Sequence, residues 1–165
     1  MTPAARGALE IDVLVQCDHW RDTTSIEKTV RRAVAAAAAV ATRTGELAIV
    51  LSDDSTIRGL NRDWRGIDAA TNVLSFPTRD AGGKPPLLGD IVLAYETVAR
   101  EASAQGKPFA HHVAHLVVHG FLHLVGYDHE HGEDAEIMEQ TERNILQRMA
   151  IPDPYRRPGK AHSMP

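Results

Sequence analysis

The pattern of hydrophobic and polar residues changes period along the chain, and each period predicts a type of element. From Leu9 to Val15 apolar residues occupy every second position, which is typical of a strand with one buried face. Helical spacing, with a capping residue such as Asp53 and a terminator such as Gly66, predicts longer helices between the strands. Four strands are expected near residues 9–15, 47–51, 71–76 and 91–94, and five helices near 24–42, 53–66, 96–104, 108–125 and 132–149.

Short strands mixed with helices predict one α+β domain with a small sheet. A length of 165 residues suits a single domain with its own hydrophobic core. The segment 79–89 is rich in glycine and proline and is expected to be a loop. Prolines and basic residues follow Ile151, so the domain is expected to span residues 1–151 and residues 152–165 to form a flexible tail.

Composition and charge restrict the classes of protein to which the chain can belong. Apolar residues make up 43% of it, so folding rather than disorder is expected. With one cysteine, Cys17, an internal disulfide is excluded, which fits a reducing cytoplasm. The first residues lack the apolar core of a signal peptide, and no apolar segment reaches membrane-spanning length, so we expect a cytoplasmic protein without a signal peptide or membrane contact. The net charge of −4 means that any contact with nucleic acid must use a local basic patch.

Histidines are concentrated in one part of the chain, because seven of the nine lie within residues 111–131. His119 and His123 are four residues apart on the fourth predicted helix, so their imidazoles project from the same face. Gly126 can adopt the left-handed conformation that ends a helix, and the chain can then turn back to bring His129 to the same point. Three imidazoles with a fourth position left for water are typical of a catalytic zinc site, and other divalent transition metals also suit them.

Neighbouring residues of this segment are open to more than one interpretation. His115 either hydrogen-bonds beside the metal ligands or belongs to the core, while His112 and His131 are expected at the surface. Asp128 either accepts a hydrogen bond from His129, which would orient that ligand, or caps the helix end. A helix whose histidines are simply buried and hydrogen-bonded is the alternative to a metal site.

The histidine spacing also restricts the reaction. The pattern H-x-x-x-H-x-x-G-x-x-H occurs in metzincin proteases, which carry a glutamate base directly after the first histidine. In this chain that position is Gly120. The ligand pattern is therefore present without the protease base, and a standard metalloprotease mechanism is not expected.

The histidine segment, from His115 to His129, resembles the signature of the YbeY family, the metal-dependent endoribonucleases of bacterial rRNA maturation. Three upstream segments match that family in the same order. They are Leu60-Asn-Arg-Asp-Trp-Arg65, Thr71-Asn-Val-Leu-Ser-Phe-Pro77 and Leu88-Gly-Asp-Ile91. The resemblance covers about residues 45–148, and Trp64 stands where the family more often has tyrosine.

The resemblance implies an α+β fold in which a small mixed four-stranded sheet packs with about five helices and a zincin-like histidine helix. It implies one zinc ion on His119, His123 and His129, and single-stranded RNA as the substrate. It further implies roles in 16S rRNA 3′-end maturation, ribosome biogenesis and 70S ribosome quality control. The expected partners are the small ribosomal subunit and its assembly factors. Arg65 matches the arginine that the family holds near the metal and needs for activity.

A basic stripe on the second predicted helix supports an RNA substrate independently. Arg58, Arg62 and Arg65 follow helical spacing, so they lie on one side of that helix. A guanidinium binds phosphate oxygens through two hydrogen bonds and stabilises developing negative charge. Arg65 is therefore assigned a phosphate role, and Arg58 and Arg62 are further candidate contacts.

In the mechanism expected from these residues, RNA lies in a cleft between the second helix and the histidine helix. Arg65 holds the scissile phosphate, and the metal polarises a phosphoryl oxygen or generates hydroxide. His119 also transfers protons if it leaves the metal. Two alternatives stay open: a metallohydrolase of peptide or amide bonds, and a non-catalytic ribosome-assembly factor whose zinc only stabilises the fold. A fourth protein ligand, such as Asp128 or His115, would favour the second alternative.

Overall fold

A computed structural model describes residues 9–21, 24–78, 85–128 and 131–155 of the chain, and within them it has four strands and five α-helices. A short 3-10 turn, Asp18–Trp20, follows the first strand. The elements in chain order are β1 (Leu9–Val15), α1 (Thr24–Ala41), β2 (Gly45–Ser52), α2 (Asp54–Arg65), β3 (Val73–Pro77), β4 (Leu87–Ala94), α3 (Tyr95–Gln105), α4 (Phe109–Leu124) and α5 (Gly132–Arg148). The predicted α+β fold of one domain is confirmed.

The four strands form one mixed sheet in the order β1-β2-β4-β3. Strands β1, β2 and β4 are parallel, and β3 runs antiparallel to β4 at the edge. Strand β4 begins at Leu87, so the prediction that residues 79–89 form a loop is wrong at its end. Leu87 pairs with Glu46, and Gly89 pairs with both Leu47 and Pro77. The loop prediction rests on the glycine and proline content of this segment, which does not indicate the strand pairings.

Alternation along the strands sends their side chains to two different faces of the sheet. Ile91 and Leu93 of β4 face the main core, which includes buried residues of α1, α4 and α5. Val92 and Ala94 face a smaller cluster that contains Ile57 of α2. Helices α2 and α4 therefore pack on opposite faces of the sheet, and both lie near the edge strand β3.

Helix α4 is the most enclosed helix of the fold. It contacts α1, α3 and α5 as well as strands β3 and β4. Val113, Val117, Phe121 and Leu122 are fully buried along it. Because packing on several sides fixes a helix against rotation, the side chains that α4 presents on its remaining face are held in defined directions.

Helices α2 and α3 cap each other at their N-terminal ends. The Asp54 N–H donates to Glu96 Oε1 (2.9 Å), and Asp54 Oδ1 accepts from the Thr97 N–H (3.1 Å) and hydroxyl (2.7 Å). Asp53 accepts from the Thr56 N–H (2.8 Å) as the N-cap of α2. Gly66 ends α2 in the left-handed conformation (φ 71°), as predicted. These contacts fix where α2 starts and stops.

Residues 153–155 of the predicted tail form hydrogen bonds with the rest of the fold. Lys107 Nζ donates to the Pro154 carbonyl (2.7 Å), and Arg143 Nε donates to Asp153 Oδ2 (3.1 Å). Residues 156–165 lie outside the described residues, so the domain boundary after Ile151 and the flexible tail stay predictions. None of the helices in the described ranges has both the length and the apolar character needed to cross a membrane.

Candidate metal centre

Helix α4 presents three histidines on one face, at intervals of four residues. His115, His119 and His123 are all half-buried. The Nε2 atoms of His119 and His123 are 3.1 Å apart, and the ring centroids are separated by 4.6 Å. The structure thus brings together the two predicted ligands that it describes. The third, His129, lies outside the described residues, and its return to the site stays a prediction.

A buried carboxylate lies behind these histidines. Glu142 of α5 has no exposed surface, and its oxygens accept hydrogen bonds from His119 Nδ1 (2.6 Å) and His115 Nε2 (2.9 Å). The Tyr155 hydroxyl donates a short hydrogen bond to the same carboxylate. Burial raises the pKa of Glu142, but the hydrogen bonds from His115 and His119 outweigh it and hold the pKa at about 2.

The charge on Glu142 determines which nitrogen of each ring carries a proton. A carboxylate without a proton can only accept hydrogen bonds, so His119 must donate from Nδ1 and His115 from Nε2. In the neutral His119 ring, Nε2 then keeps its lone pair, and this is the nitrogen that faces His123. The carboxylate therefore prepares His119 to bind a cation on the side of His123.

Sequence reasoning did not find Glu142. It follows Met138 by four residues and precedes Leu146 by four, and both neighbours are fully buried. It therefore lies on the apolar stripe of α5. A charged residue on such a stripe needs a buried partner, which is the signal in the sequence that could have identified it.

A second set of ligand atoms overlaps the histidine pair. His115, His119 and Glu142 each offer one ligand atom, all within 4.8 Å of one another, so these three residues can also hold a metal ion. Two ligands of one tetrahedral zinc ion lie about 3.3 Å apart. The 2.6 Å between His119 Nδ1 and Glu142 Oε2 is the length of a direct hydrogen bond, whereas the 3.1 Å between the two Nε2 atoms is close to the ligand separation. The geometry favours an ion on the Nε2 side.

The end of α4 has the form that the sequence predicts. Gly126 has φ 102°, which favours glycine, and its N–H donates to the His123 carbonyl (3.1 Å). The Tyr127 N–H donates to the Leu122 carbonyl (2.9 Å), which completes the helix end. Asp128 is half-buried and directly precedes His129, so whether it orients that ligand stays a prediction.

Gly120, at the position of the protease base, faces the sheet rather than the histidines. Its carbonyl accepts from the Ser75 hydroxyl (2.9 Å). A Cβ atom at this position would lie 2.9 Å from Ile91 Cγ2 and 3.0 Å from Ser75 Oγ. No space exists for a glutamate side chain, so the fold itself excludes the metzincin base.

The predicted surface position of His112 is wrong. This residue is 3% exposed, and its Nε2 lies 2.8 Å from Glu101 Oε1 on α3, which also accepts from Asn72 Nδ2 (2.9 Å). Burial lowers the pKa of His112 more than Glu101 raises it. The side of α4 that carries His112 is covered by α3, a packing that residue spacing alone does not reveal. His131 is exposed, as predicted.

The arginine stripe lies on α2, and its three members have different surroundings. Arg58 donates two hydrogen bonds to Asp68 (2.7 and 3.1 Å), and Arg62 donates to Asp63 (3.2 Å). Arg65 is exposed and makes no ion pair with any residue that the structure describes. It is therefore the arginine whose guanidinium is most available to a phosphate.

The expected cleft between the second helix and the histidine helix is not formed by these helices lying side by side. They pack on opposite faces of the sheet because alternate residues of β3 and β4 point to opposite faces. The edge strand β3 connects them instead. Phe76 contacts the ring of Trp64 on α2, and the adjacent Ser75 bonds to Gly120 on α4. An RNA that contacts both helices must pass over this edge.

The mixed sheet, the histidine-bearing helix and the buried carboxylate together define an α+β protein with a histidine centre suited to a metal ion. The family model described as Endoribonuclease YbeY matches residues 14–150. The chain is 53% identical over 167 residues to the Endoribonuclease YbeY of Rhodopseudomonas palustris strain BisB5, covering 94% of the chain and 85% of the relative. It is 54% identical over 160 residues to that of Nitrobacter hamburgensis, covering 92% and 83%. The chain therefore belongs to the endoribonuclease YbeY family, as the sequence motifs predicted.

A solved structure supports the fold. The solution structure of TM1509 from Thermotoga maritima is similar to the chain with a TM-score of 0.52 and 23% sequence identity. The similarity covers 90% of this chain and 98% of that one. At this identity the likeness shows the shared fold alone.

Proposed function

We propose that this chain is a zinc-dependent endoribonuclease that cleaves single-stranded RNA in rRNA maturation. The observation that carries the proposal is the pair of Nε2 atoms on His119 and His123, 3.1 Å apart and backed by the buried Glu142. Membership of the endoribonuclease YbeY family supports RNA as the substrate.

The donor set fits a zinc ion. His119 and His123 would hold it through Nε2, with His129 as the predicted third ligand, and imidazole nitrogen is a preferred zinc ligand. When bound, the ion would supply Lewis acidity at a phosphoryl oxygen and lower the pKa of water. Glu142 would keep His119 protonated on Nδ1 and fix its ring. The predicted role of His119 in proton transfer would require its Nε2 to leave the metal.

Arg65 would bind the scissile phosphate. Its guanidinium is exposed and offers the two parallel donors that match phosphate oxygens. Negative charge that develops on the phosphate would be stabilised by this fixed positive charge. Arg58 and Arg62, each already paired with an aspartate, would contribute weaker contacts along the strand of RNA.

The cellular role proposed for this activity is 16S rRNA 3′-end maturation and ribosome quality control in the cytoplasm. Its partners would be the small ribosomal subunit and associated assembly factors. The support is the family, because relatives covering most of the chain are named Endoribonuclease YbeY.

Two variants test the metal and phosphate assignments separately. His123→Ala should remove both bound zinc and cleavage of a single-stranded RNA, and chelator should abolish wild-type cleavage. Arg65→Glu should retain the bound zinc and the native fold but lose cleavage, because the introduced carboxylate repels the phosphate of the RNA. Zinc content measured by mass spectrometry and cleavage measured on gels give the two readouts. Normal cleavage by Arg65→Glu would remove the arginine from the mechanism.

The second candidate function is a ribosome-assembly factor in which the metal only stabilises the fold. The observation that favours it is the enclosed group of His115, His119 and Glu142, which ties α4 to α5. In that case His115→Ala, rather than His123→Ala, would release the metal. The wild-type protein would not cleave RNA, so no variant could change that activity. Peptide hydrolysis is not supported, because Gly120 leaves no space for the base.

A further inference from the structure

The most exposed large hydrophobic side chain among the described residues lies at the end of α2. Trp64 is 72% exposed, and Ile67, just beyond the helix, is 44% exposed. Single exposed apolar residues are common and need no partner. Trp64 differs because of what holds its ring, which charges flank it and where it lies relative to the candidate metal centre.

The indole ring is supported from the sheet. Phe76 of β3 contacts it edge to face, with ring centroids 6.0 Å apart and an interplanar angle of 62°. An edge contact of this kind restrains the orientation of the indole while leaving most of its surface in water. The exposed ring is therefore presented in a defined direction, which lowers the entropy cost of stacking another ring on it.

Positive charge flanks the ring on the same helix. Arg65 follows Trp64 directly, is exposed, and makes no ion pair within the part of the chain that the structure describes. Arg62 precedes it by two residues, and its side chain is 58% exposed. Because Arg62 is paired with Asp63, the unneutralised guanidinium beside the ring is that of Arg65. An aromatic ring next to such a group is complementary to a base and its phosphate. A protein partner usually needs about 800 Å² of surface on each side, far more than Trp64 and Ile67 offer.

The Trp64 ring also lies where a strand of RNA could contact both it and the histidines of α4. Phe76, which supports Trp64, is adjacent to Ser75, and Ser75 donates to the carbonyl of Gly120. Gly120 directly follows His119 on α4. An extended strand of RNA that passes over the edge of β3 can therefore contact the indole on one face of the sheet and the histidines on the other.

We propose that Trp64 is a stacking platform for one nucleobase of single-stranded RNA and that Arg65 binds a phosphate next to that base. The proposal rests on the function proposed above and specifies one subsite of its substrate. Bases within a duplex are stacked on each other and cannot reach the indole, so this subsite selects single strands.

The two tryptophans of the chain make the test direct. Trp20 is 2% exposed and bonds to the Ser52 carbonyl, whereas Trp64 is open to solvent. Stacking of a base quenches indole fluorescence. Titration of the full-length protein with a single-stranded RNA oligonucleotide should quench its emission, and a duplex of the same sequence should not. The titration is made with and without chelator, and gels check that the oligonucleotide stays intact.

Substitutions measure how much the ring contributes. With a labelled oligonucleotide followed by fluorescence anisotropy, Trp64→Ala should weaken binding by about 5- to 150-fold, and Trp64→Phe should restore most of it. Leu14→Ala is the matched control, because Leu14 is 50% exposed on β1 at the opposite edge of the sheet. Its binding should equal that of the wild type.

Two results would overturn the platform. One is binding detected by anisotropy without quenching of the protein emission, and the other is equal affinity of Trp64→Ala and the wild type. In either case continued RNA cleavage would leave the proposed function standing, and the indole would have no part in RNA binding. If instead RNA stacks on Trp64 but is not cleaved when zinc is present, the nuclease proposal fails and the platform remains.

Discussion

At the scale of single residues, Glu142 explains how a charge is kept inside the fold. A buried carboxylate without partners would lose several kcal/mol of hydration. Here His115, His119 and Tyr155 all donate to it, and these three hydrogen bonds stabilise the ionised form. The same contacts set the proton positions of two histidines. Stability and the orientation of the candidate ligands therefore depend on one side chain.

Replacing Glu142 by Gln tests this double role. The amide has the size of the carboxyl group but no charge. Its NH₂ group must face at least one of the donors on His115, His119 and Tyr155, and two donors cannot form a hydrogen bond with each other. We expect the free energy of unfolding to fall by about 1–3 kcal/mol. We expect zinc affinity to fall by about 10- to 100-fold, because His119 is no longer held on Nδ1. Urea denaturation and calorimetric zinc titration measure the two effects, with the exposed Glu136→Gln as a control. Unchanged zinc affinity would contradict the orienting role.

Gly120 illustrates how close packing overrides helix propensity. An alanine in a helix interior is usually more stable than glycine by about 1 kcal/mol. At Gly120 the added Cβ would lie 2.9 Å from Ile91 Cγ2, on a fully buried branched side chain that cannot move away. We expect Gly120→Ala to destabilise the protein by about 1–2 kcal/mol in urea denaturation. Gly59→Ala on α2, where the added Cβ would meet only the flexible end of the Arg62 side chain at 3.8 Å, should instead stabilise it. Equal shifts for both variants would contradict the packing argument.

At the scale of elements, α2 depends on its cap. The hydrogen bond from the Thr56 N–H holds the pKa of Asp53 below its usual value. A lowered pKa means that Asp53 stabilises the folded state fully above its unfolded pKa, and that this contribution is lost as pH falls through the lowered value. We expect Asp53→Ala to cost about 1 kcal/mol at neutral pH and progressively less below about pH 4. Urea denaturation at several pH values measures the difference.

The control for this prediction keeps an acceptor but removes the titrating group. Asp53→Asn should retain most of the cap, because the amide oxygen can still accept from the Thr56 N–H. Its stability relative to Asp53→Ala should not change with pH. A pH-independent gap between the wild type and Asp53→Ala would show that the carboxylate charge does not contribute to the cap.

The elements themselves could be predicted well where the signals are local. Strand β1 shows a period of two, and Gly66 and Gly126 end helices in the conformation that only glycine adopts easily. The start of β4 could not be predicted, because Leu87 and Gly89 are strand residues only through pairing with β2 and β3. Local composition cannot reveal a pairing partner that lies 41 or 42 residues away in the chain, as Glu46 does from Leu87 and Leu47 from Gly89.

The candidate site shows the same division. His119 and His123 project from the same face because they are four residues apart on a helix, and this spacing can be read directly from the sequence. The contact of His119 with Glu142 joins residues 23 positions apart, and its geometry depends on how α5 packs on α4. The burial of His112 depends likewise on α3. Positions that depend on the packing of one helix on another could not be derived from spacing within a single helix.

At the scale of the whole molecule, α4 links the candidate metal centre to the core. Its buried face packs on the sheet, α1 and α3, and its histidine face is joined to α5 through Glu142. Because the unfolded chain cannot hold three imidazoles in one place, an ion that binds the native site must stabilise the fold. The strength of that effect reports which side chains hold the ion.

We therefore expect zinc to raise the melting temperature of the whole protein. Zinc at about 100 times its dissociation constant stabilises the native state by about 2.7 kcal/mol, which corresponds to about 5–10 °C for a chain of this size. Differential scanning calorimetry of the metal-free protein with and without zinc measures the shift, and chelator should reverse it. The shift should vanish in His123→Ala but persist, reduced, in His115→Ala, because of these two residues it is His123 that faces the lone pair of His119. The opposite order would place the ion between His115, His119 and Glu142.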